Sequence, residues 1–266
     1  MKTKYSIKSY HFDWDDNLVY MPTKIIYFAK NPEQNPKEIH VSTGVFAETR
    51  TKVGVEACPL RYSIENGVAV ANEHGENEVC LSDYQMVFDN ELSFREFRDS
   101  DQGNYFLRDL KNALENNLLG PSWNDFVEAT NCRKTAQRVT IITARGQSPE
   151  TIYEGVCYLY EQGIIKNLIP IHNIYPVSYK NLPKEFIGHA SNPSDAKKNV
   201  LKNMIDRLAR SINANQKAFM GFSDDDRKTF DTMKEFLEEL KKSGEYSNVD
   251  LNLYFTGNKT KERFKI

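Results

Sequence analysis

Val139-Thr140-Ile141-Ile142-Thr143 is an unbroken β-branched run that ends in Ala144-Arg145-Gly146, and Ser148-Pro149 follows at once. A run with no polar alternation suits a strand buried on both faces, as in the middle of a parallel sheet. Ser148 is placed to cap a helix with Pro149 at its first position, Ile152, Val156 and Leu159 on its apolar side, and Gly163 at its end. Strand, turn and helix together form half of a parallel crossover, so the chain is constrained to an α/β sheet.

The same alternation continues downstream. Residues 174–177 read as a short strand, and Asn192-Pro193-Ser194 opens a helix with Val200, Leu201, Met204, Ile205 and Leu208 on one face. Ala218 to Phe222 is a further strand, a helix over 228–242 carries Phe230, Met233, Phe236, Leu237 and Leu240, and 251–255 is a last strand before a basic tail. Upstream, Ile7 to Phe12 completes the set. Ser6, Lys8, Ser9 and His11 interrupt it, and Tyr5, Ile7, Tyr10 and Phe12 are its residues fit for burial.

From about Met21 to Arg138 the texture changes to short β-like runs at 24–28 and 38–42, polar turns, and one helix over 105–118 stopped by Gly120-Pro121. This reads as an inserted α+β unit at 25–138, with the core formed by 1–24 and 139–266. Phe94-Arg95-Glu96-Phe97-Arg98, within the insert, reads first as a surface helical turn with two buried phenylalanines. Two arginines beside aromatics are also able to meet an anionic or planar ligand.

A length of 266 residues with 39% hydrophobic and 12% aromatic content is enough for substantial cores. The net charge of −2 gives no global basic field for sequence-independent nucleic-acid binding, although a local basic groove stays open. Cys58, Cys80, Cys132 and Cys157 form no Cys-x-x-Cys pair and read as reduced thiols. The start, Met1 to Lys8, has charge without an apolar run behind it, and no stretch approaches spanning length. A cytoplasmic location and no membrane partner are expected.

The acids cluster at strand ends. Tyr10 to Leu18 reads Tyr-His-Phe-Asp-Trp-Asp-Asp-Asn-Leu, and with a strand ending at Phe12, Asp13 and Asp15 can face one crevice. An acidic turn is the plain alternative. A calcium loop beginning at Asp13 fails, because Leu18 and Lys24 stand where glycine and glutamate are needed. At the other cluster, Ser223-Asp224-Asp225-Asp226-Arg227, N-capping accounts for one aspartate and a bound cation for tolerating three. Lys197 and Lys198 sit early in their helix, where cations oppose the macrodipole at a cost of about 0.3–1 kcal/mol. Either the pair is solvated or an anion lies nearby.

Phe-Asp-Trp-Asp-Asp-Asn-Leu at 12–18, Ile-Ile-Thr-Ala-Arg-Gly at 141–146, the early helical Lys197 and Gly-Phe-Ser-Asp-Asp-Asp at 221–226 resemble, in order and spacing, the four motifs of the haloacid dehalogenase (HAD) superfamily. The resemblance covers residues 5–24 and 139–266 and not the insert. It implies a Rossmann-like core with a parallel sheet in the order 5-4-1-2-3 and a cap inserted after the first motif. It also implies a phosphatase in which Asp13 attacks phosphorus to form an aspartyl-phosphate and Asp15 protonates the leaving oxygen, then deprotonates water. Thr143, Ala144 and Arg145 would hold the phosphoryl group, and Lys197 would neutralise charge. Mg²⁺ would be held by the Asp13 carboxylate, the Asp15 carbonyl, Asp225 and Asp226, with Asp224 a further candidate and Lys198 the alternative lysine.

Two departures stand out. Asn17 occupies a place where the family usually has threonine or valine, and Phe222 a place that is often aspartate. An inserted unit able to close over the pocket, and a near-neutral charge that gives no general support to a basic channel, favour a small phosphorylated metabolite as substrate. A polynucleotide 3′-phosphatase is the runner-up, suggested by Asp225-Asp226-Arg227, and a binding protein that keeps the fold without the reaction is a third reading.

Overall fold

A computed structural model describes residues 5–101, 103–213, 215–257 and 260–266. Met1 to Lys4, part of the charged start considered above, lie outside them. The chain opens with β1 (Ile7–Phe12) and continues through β2 (Ile25–Ala29), β3 (Glu38–Val41), α1 (Thr43–Thr49), β4 (Pro59–Glu65), β5 (Val68–Ala71), β6 (Asn77–Cys80) and β7 (Tyr84–Gln85). Next come α2 (Tyr105–Glu115), α3 (Trp123–Thr130), α4 (Arg133–Ala136), β8 (Val139–Thr143), α5 (Pro149–Glu161) and β9 (Ile174–Pro176). α6 (Lys184–Ile187), α7 (Pro193–Arg210), β10 (Ala218–Asp224), α8 (Arg227–Lys242), β11 (Val249–Phe255) and β12 (Glu262–Lys265) complete it. The chain forms two compact units, Met1–Met21 with Leu110–Ile266, and Pro22–Asp109.

The first unit is built on a sheet in the order β12-β11-β10-β1-β8-β9. All of its strands are parallel except β12, which runs antiparallel to β11. Parallel pairing brings the carboxyl ends of β1, β8, β10 and β11 to one edge, where crevices of α/β sheets form. β8 and β10 are buried along their whole length, as an apolar central strand requires. Ser9 and His11 of β1 are also buried. Ser9 Oγ donates to the Arg138 carbonyl at 3.0 Å and lies 3.0 Å from His11 Nε2, while burial pushes His11 down to about 3 and keeps its ring neutral.

One face of this sheet packs on α7 and α8 through Val200, Leu201, Met204, Phe230, Met233 and Leu237. Loss of a buried ring such as Phe230 costs about 3–5 kcal/mol by the general behaviour of cores, so this face anchors the unit. The helices start where their caps dictate. Ser148, Asn192 and Asp226 accept the backbone N–H groups of Thr151, Asp195 and Thr229. On the opposite face Phe126 of α3 meets Phe12 edge-on at 5.7 Å.

Two features differ in extent from the sequence reading. The texture of the sequence grouped α3 and α4 with the insert, whereas the compact units divide at 22 and 110 and leave both helices with the core sheet. An amphipathic helix carries no mark of which sheet its apolar side will cover. The basic tail is also not a plain tail, because Arg263 donates to Asn252 Oδ1 and Phe264 packs on Phe230 at 5.0 Å, which pins β12 to the sheet edge.

The second unit is a sheet in the order β6-β4-β5-β3-β2-β7, with β3 and β5 parallel. Ile25, Tyr27, Ile39, Val41, Leu60 and Tyr84 form its core, with Phe94 and Phe97 packed against them. Arg95 pairs with Glu38 at 2.9 Å and Arg98 with Glu91 at 2.8 Å, so both arginines of that cluster have carboxylate partners within the unit. No helix among the described residues is long and apolar enough to cross a membrane.

Candidate functional site

The pairing of β1 with β10 runs one residue past the strand, since the Asp13 N–H donates to the Ser223 carbonyl at 3.0 Å. This sets Asp13 beside the end of β10, where Asp224 follows. After Asp13 the chain turns tightly. Asn17 N–H donates to the Asp15 carbonyl at 2.6 Å, Leu18 N–H to the Trp14 carbonyl at 2.9 Å, and Asp16 takes a left-handed φ of 56°.

Asn17 holds this turn to the sheet. Its wholly buried amide donates to the Asp13 carbonyl at 2.9 Å and to Ser223 Oγ at 3.0 Å, and its Oδ1 accepts from Thr256 Oγ1 at 2.9 Å. Valine offers neither donor nor acceptor, and a threonine hydroxyl has only one proton to donate, so neither makes all three links. Gly120 makes room for it, because a Cβ there would come within 2.4 Å of the Asn17 carbonyl oxygen.

Asp13, Asp224 and Asp225 each bring one carboxylate oxygen within 4.8 Å of the others. Lys197, 3% exposed, reaches between two of them, 2.8 Å from Asp224 Oδ2 and 2.9 Å from Asp13 Oδ1. Lys198 instead pairs at the surface with Asp195 at 3.4 Å. The four-residue rise between Lys197 and Leu201 puts Lys197 on the buried side of α7.

Burial pushes the Asp13 carboxyl up to about 8, with Lys197 opposing and Asp224 and Asp15 adding to the rise. Burial likewise raises Asp224 against the pull of Lys197, and raises Asp225 well above the usual carboxylate range with Asp13 and Asp224 contributing. For Lys197 burial alone would lower the pKa, but Asp13 and Asp224 reverse this and hold the ammonium charged. If all three acids ionise, one ammonium leaves two negative charges uncompensated, and a divalent cation would cancel them.

The donor set fits such an ion. The ligand atoms are all carboxylate oxygens, the type that Mg²⁺ takes. Asp13 Oδ1 is buried and no hydrogen bond is aligned on it, although Lys197 lies within ion-pair distance. The acidic cluster can therefore hold a divalent metal, or an equivalent positive charge, at the carboxyl ends of β1 and β10.

A scan against protein-family models, a search of curated proteins and a search of solved structures each find no match to this chain.

The other sequence candidates are placed as follows. The Asp15 carboxylate is held by Arg145, with Nε 2.9 Å from Oδ2 and Nη2 2.6 Å from Oδ1. The Arg145 side chain is wholly buried and its Nη1 donates to Gln147 Oε1 at 3.1 Å. Thr143, at the end of β8, is buried and its Oγ1 accepts the Arg145 N–H at 3.3 Å, while Ala144 is exposed at the tip of that loop. Asp226 caps α8 by accepting the Thr229 N–H at 2.8 Å and is not one of the three clustered acids. The Asp15 carbonyl, the atom the resemblance implies for metal, accepts the Asn17 N–H.

Asn17, Thr256 and Gln147 are the site residues that the sequence reading did not single out as functional. A short amide four positions after a candidate nucleophile is the only local signal among them. Thr256 and Gln147 act through contacts that no spacing announces.

Proposed function

We propose that the chain is a Mg²⁺-dependent phosphomonoester hydrolase of the HAD type, working through an aspartyl-phosphate on Asp13. The observation that carries the reading is the meeting of Asp13, Asp224 and Asp225 with a buried Lys197 at the carboxyl ends of adjacent parallel strands. The strand order supports it: counted along the core, β11-β10-β1-β8-β9 is 5-4-1-2-3, the order that the resemblance implies.

Asp13, Asp224 and Asp225 are the residues to hold the metal, which when bound would supply positive charge that lets an anionic phosphoryl group approach an anionic nucleophile. Asp13 then forms the new O–P bond as the bond to the leaving oxygen breaks, and Asp15 gives that oxygen its proton. Water next attacks phosphorus, passes a proton to Asp15, and releases Asp13. The Thr143 hydroxyl and the Ala144 and Arg145 backbone are the groups to orient phosphoryl oxygens, and Lys197 offsets their charge. Arg145 has a further part. In the ground state it occupies both Asp15 oxygens, so a phosphoryl group that competes for the guanidinium frees Asp15 to carry the proton.

A small phosphorylated metabolite is the substrate class favoured, and the near-neutral net charge supports it over long polyanions. The test is a screen of phosphomonoesters with and without Mg²⁺, with wild-type protein and the Asp13→Asn variant. Mg²⁺-dependent phosphate release that vanishes in Asp13→Asn is the expected result. Phosphate release that is equal in EDTA, or retained by the variant, contradicts the proposal.

A further inference from the structure

We infer that Ser194 and Thr229 are positioning residues of the acidic site, whose mutual hydrogen bond sets Asp225 against Lys197 so that the three clustered acids can share one divalent cation. The link serves the metal site proposed above and so stands on that reading. Ser194 Oγ and Thr229 Oγ1 lie 2.8 Å apart, and both residues are buried. Burying two hydroxyls brings little net stability even when they bond each other, and an alanine facing a valine would fill the same space with no polar group to desolvate. What the hydroxyl pair adds is direction.

The two residues stand on the two helices that serve the site. Ser194, in the first turn of α7, precedes Lys197 by three positions, so both lie on the buried side that also carries Leu201. Thr229 is in the first turn of α8, directly after the acids, and its N–H donates to Asp226 Oδ1 at 2.8 Å. Elsewhere α7 and α8 share an apolar core that includes Leu201, Met204, Phe230 and Met233. Apolar contact is non-directional and leaves one helix free to shift along the other, whereas a hydrogen bond fixes both distance and angle.

Asp225 is the acid that depends on this. Asp224 is held three times, its Oδ2 by Lys197, its Oδ1 by the Asp226 N–H at 3.0 Å and its carbonyl by the Thr256 N–H at 3.1 Å. Asp13 is held by its backbone to Ser223 and by its carboxylate to Lys197. Among the described residues no hydrogen bond or ion pair holds the Asp225 carboxylate. Its place follows from the backbone between the end of β10 and the start of α8, and a shift of α8 carries it away from Asp13 and Asp224. Mg²⁺ demands near-ideal geometry, so such a shift weakens binding. Asp226→Ala removes the cap but keeps both the Ser194 link and the Asp226 N–H bond, which separates the cap from the link.

The experiment is a titration of the full-length protein with Mn²⁺, which shares the oxygen preference of Mg²⁺, followed by electron paramagnetic resonance of the free ion. Wild type is compared with Ser194→Ala, Thr229→Val, the double variant and Thr229→Ser, each checked by circular dichroism and by urea denaturation in EDTA. The Kd for Mn²⁺ should rise about tenfold in each of Ser194→Ala and Thr229→Val, the scale on which groups behind metal ligands act. The double variant should be no weaker than the weaker single, because one bond is lost in all three, and Thr229→Ser should bind like wild type. Wild-type Mn²⁺ affinity in folded Ser194→Ala and Thr229→Val, even with a lower urea midpoint, would overturn the positioning role and leave the metal site standing. Additive losses in the double variant would overturn it too. A wild-type protein that binds no Mn²⁺ would contradict the metal reading itself, and the positioning role with it.

Discussion

Lys197 donates to Asp224 at 2.8 Å, with the acid wholly buried and the lysine only 3% exposed. The same ammonium sits 2.9 Å from Asp13, so one buried cation serves two acids from neighbouring strands. Removing one partner of a buried pair leaves the other desolvated and uncompensated, typically at about 3–5 kcal/mol. Lys197→Met is therefore expected to lower stability by about that amount in EDTA and to recover part of it in Mg²⁺. Urea denaturation under both conditions measures this, and an equal loss in each would remove the metal from the account.

Without a cation, the acidic site makes stability depend on pH. The folded-state pKa of Asp13 is raised from 3.8 to about 8, and those of Asp224 and Asp225 are raised as well. Folded protein therefore binds protons more tightly than unfolded protein, and stability is lost as pH rises through that window. Lys197 is raised above its own ordinary value and keeps its charge throughout the window, so it does not reverse the sign. In EDTA the urea midpoint should fall between pH 5 and pH 8, roughly the span over which the carboxyls ionise. In Mg²⁺ the fall should shrink, because the ion binds the ionised acids.

The three successive aspartates divide by role. Asp225→Ala is expected to raise the Mg²⁺ concentration needed for phosphate release several-fold, because it removes one of the clustered oxygens. Asp226→Ala removes the α8 cap and should cost about 1 kcal/mol of stability with little change in the Mg²⁺ requirement. Paired Mg²⁺ titrations and melting curves check both, and the reverse pattern would place the metal on Asp226.

Asn17 ties the turn after β1 to Ser223 and Thr256. Asn17→Ala leaves buried groups unsatisfied and should cost about 1–3 kcal/mol. Because the link reaches the Asp13 carbonyl, kcat should fall more than KM changes. Melting curves and steady-state kinetics on the same preparation give both numbers, and unchanged kcat in a folded variant would make the link purely structural.

What could be read from the residues alone follows from how local each signal was. β8 announces itself because all five of its residues are buried and apolar or β-branched, and α5 because Ser148 and Pro149 punctuate its start. β1 is harder to read, since Ser9 finds its partner in the Arg138 carbonyl, more than a hundred positions away. The division of labour among Asp224, Asp225 and Asp226 depends on which way a short turn points each carboxylate, and three identical residues in a row carry no such information. The grip of Arg145 on Asp15 is likewise invisible until β8 is laid beside β1. Position in the chain marked the acids as a group, and packing separated them.

A phosphatase of this kind becomes covalently phosphorylated on Asp13 during turnover. The most direct measurement is acid quenching of the protein during turnover of p-nitrophenyl phosphate in Mg²⁺, followed by proteolysis and mass spectrometry of the peptide spanning Tyr10 to Leu18. The account predicts an acid-stable, base-labile phosphoryl group on Asp13 that is missing in EDTA and in Asp13→Asn. Turnover that leaves Asp13 unmodified throughout, or a phosphoryl group found on a different residue, would contradict it.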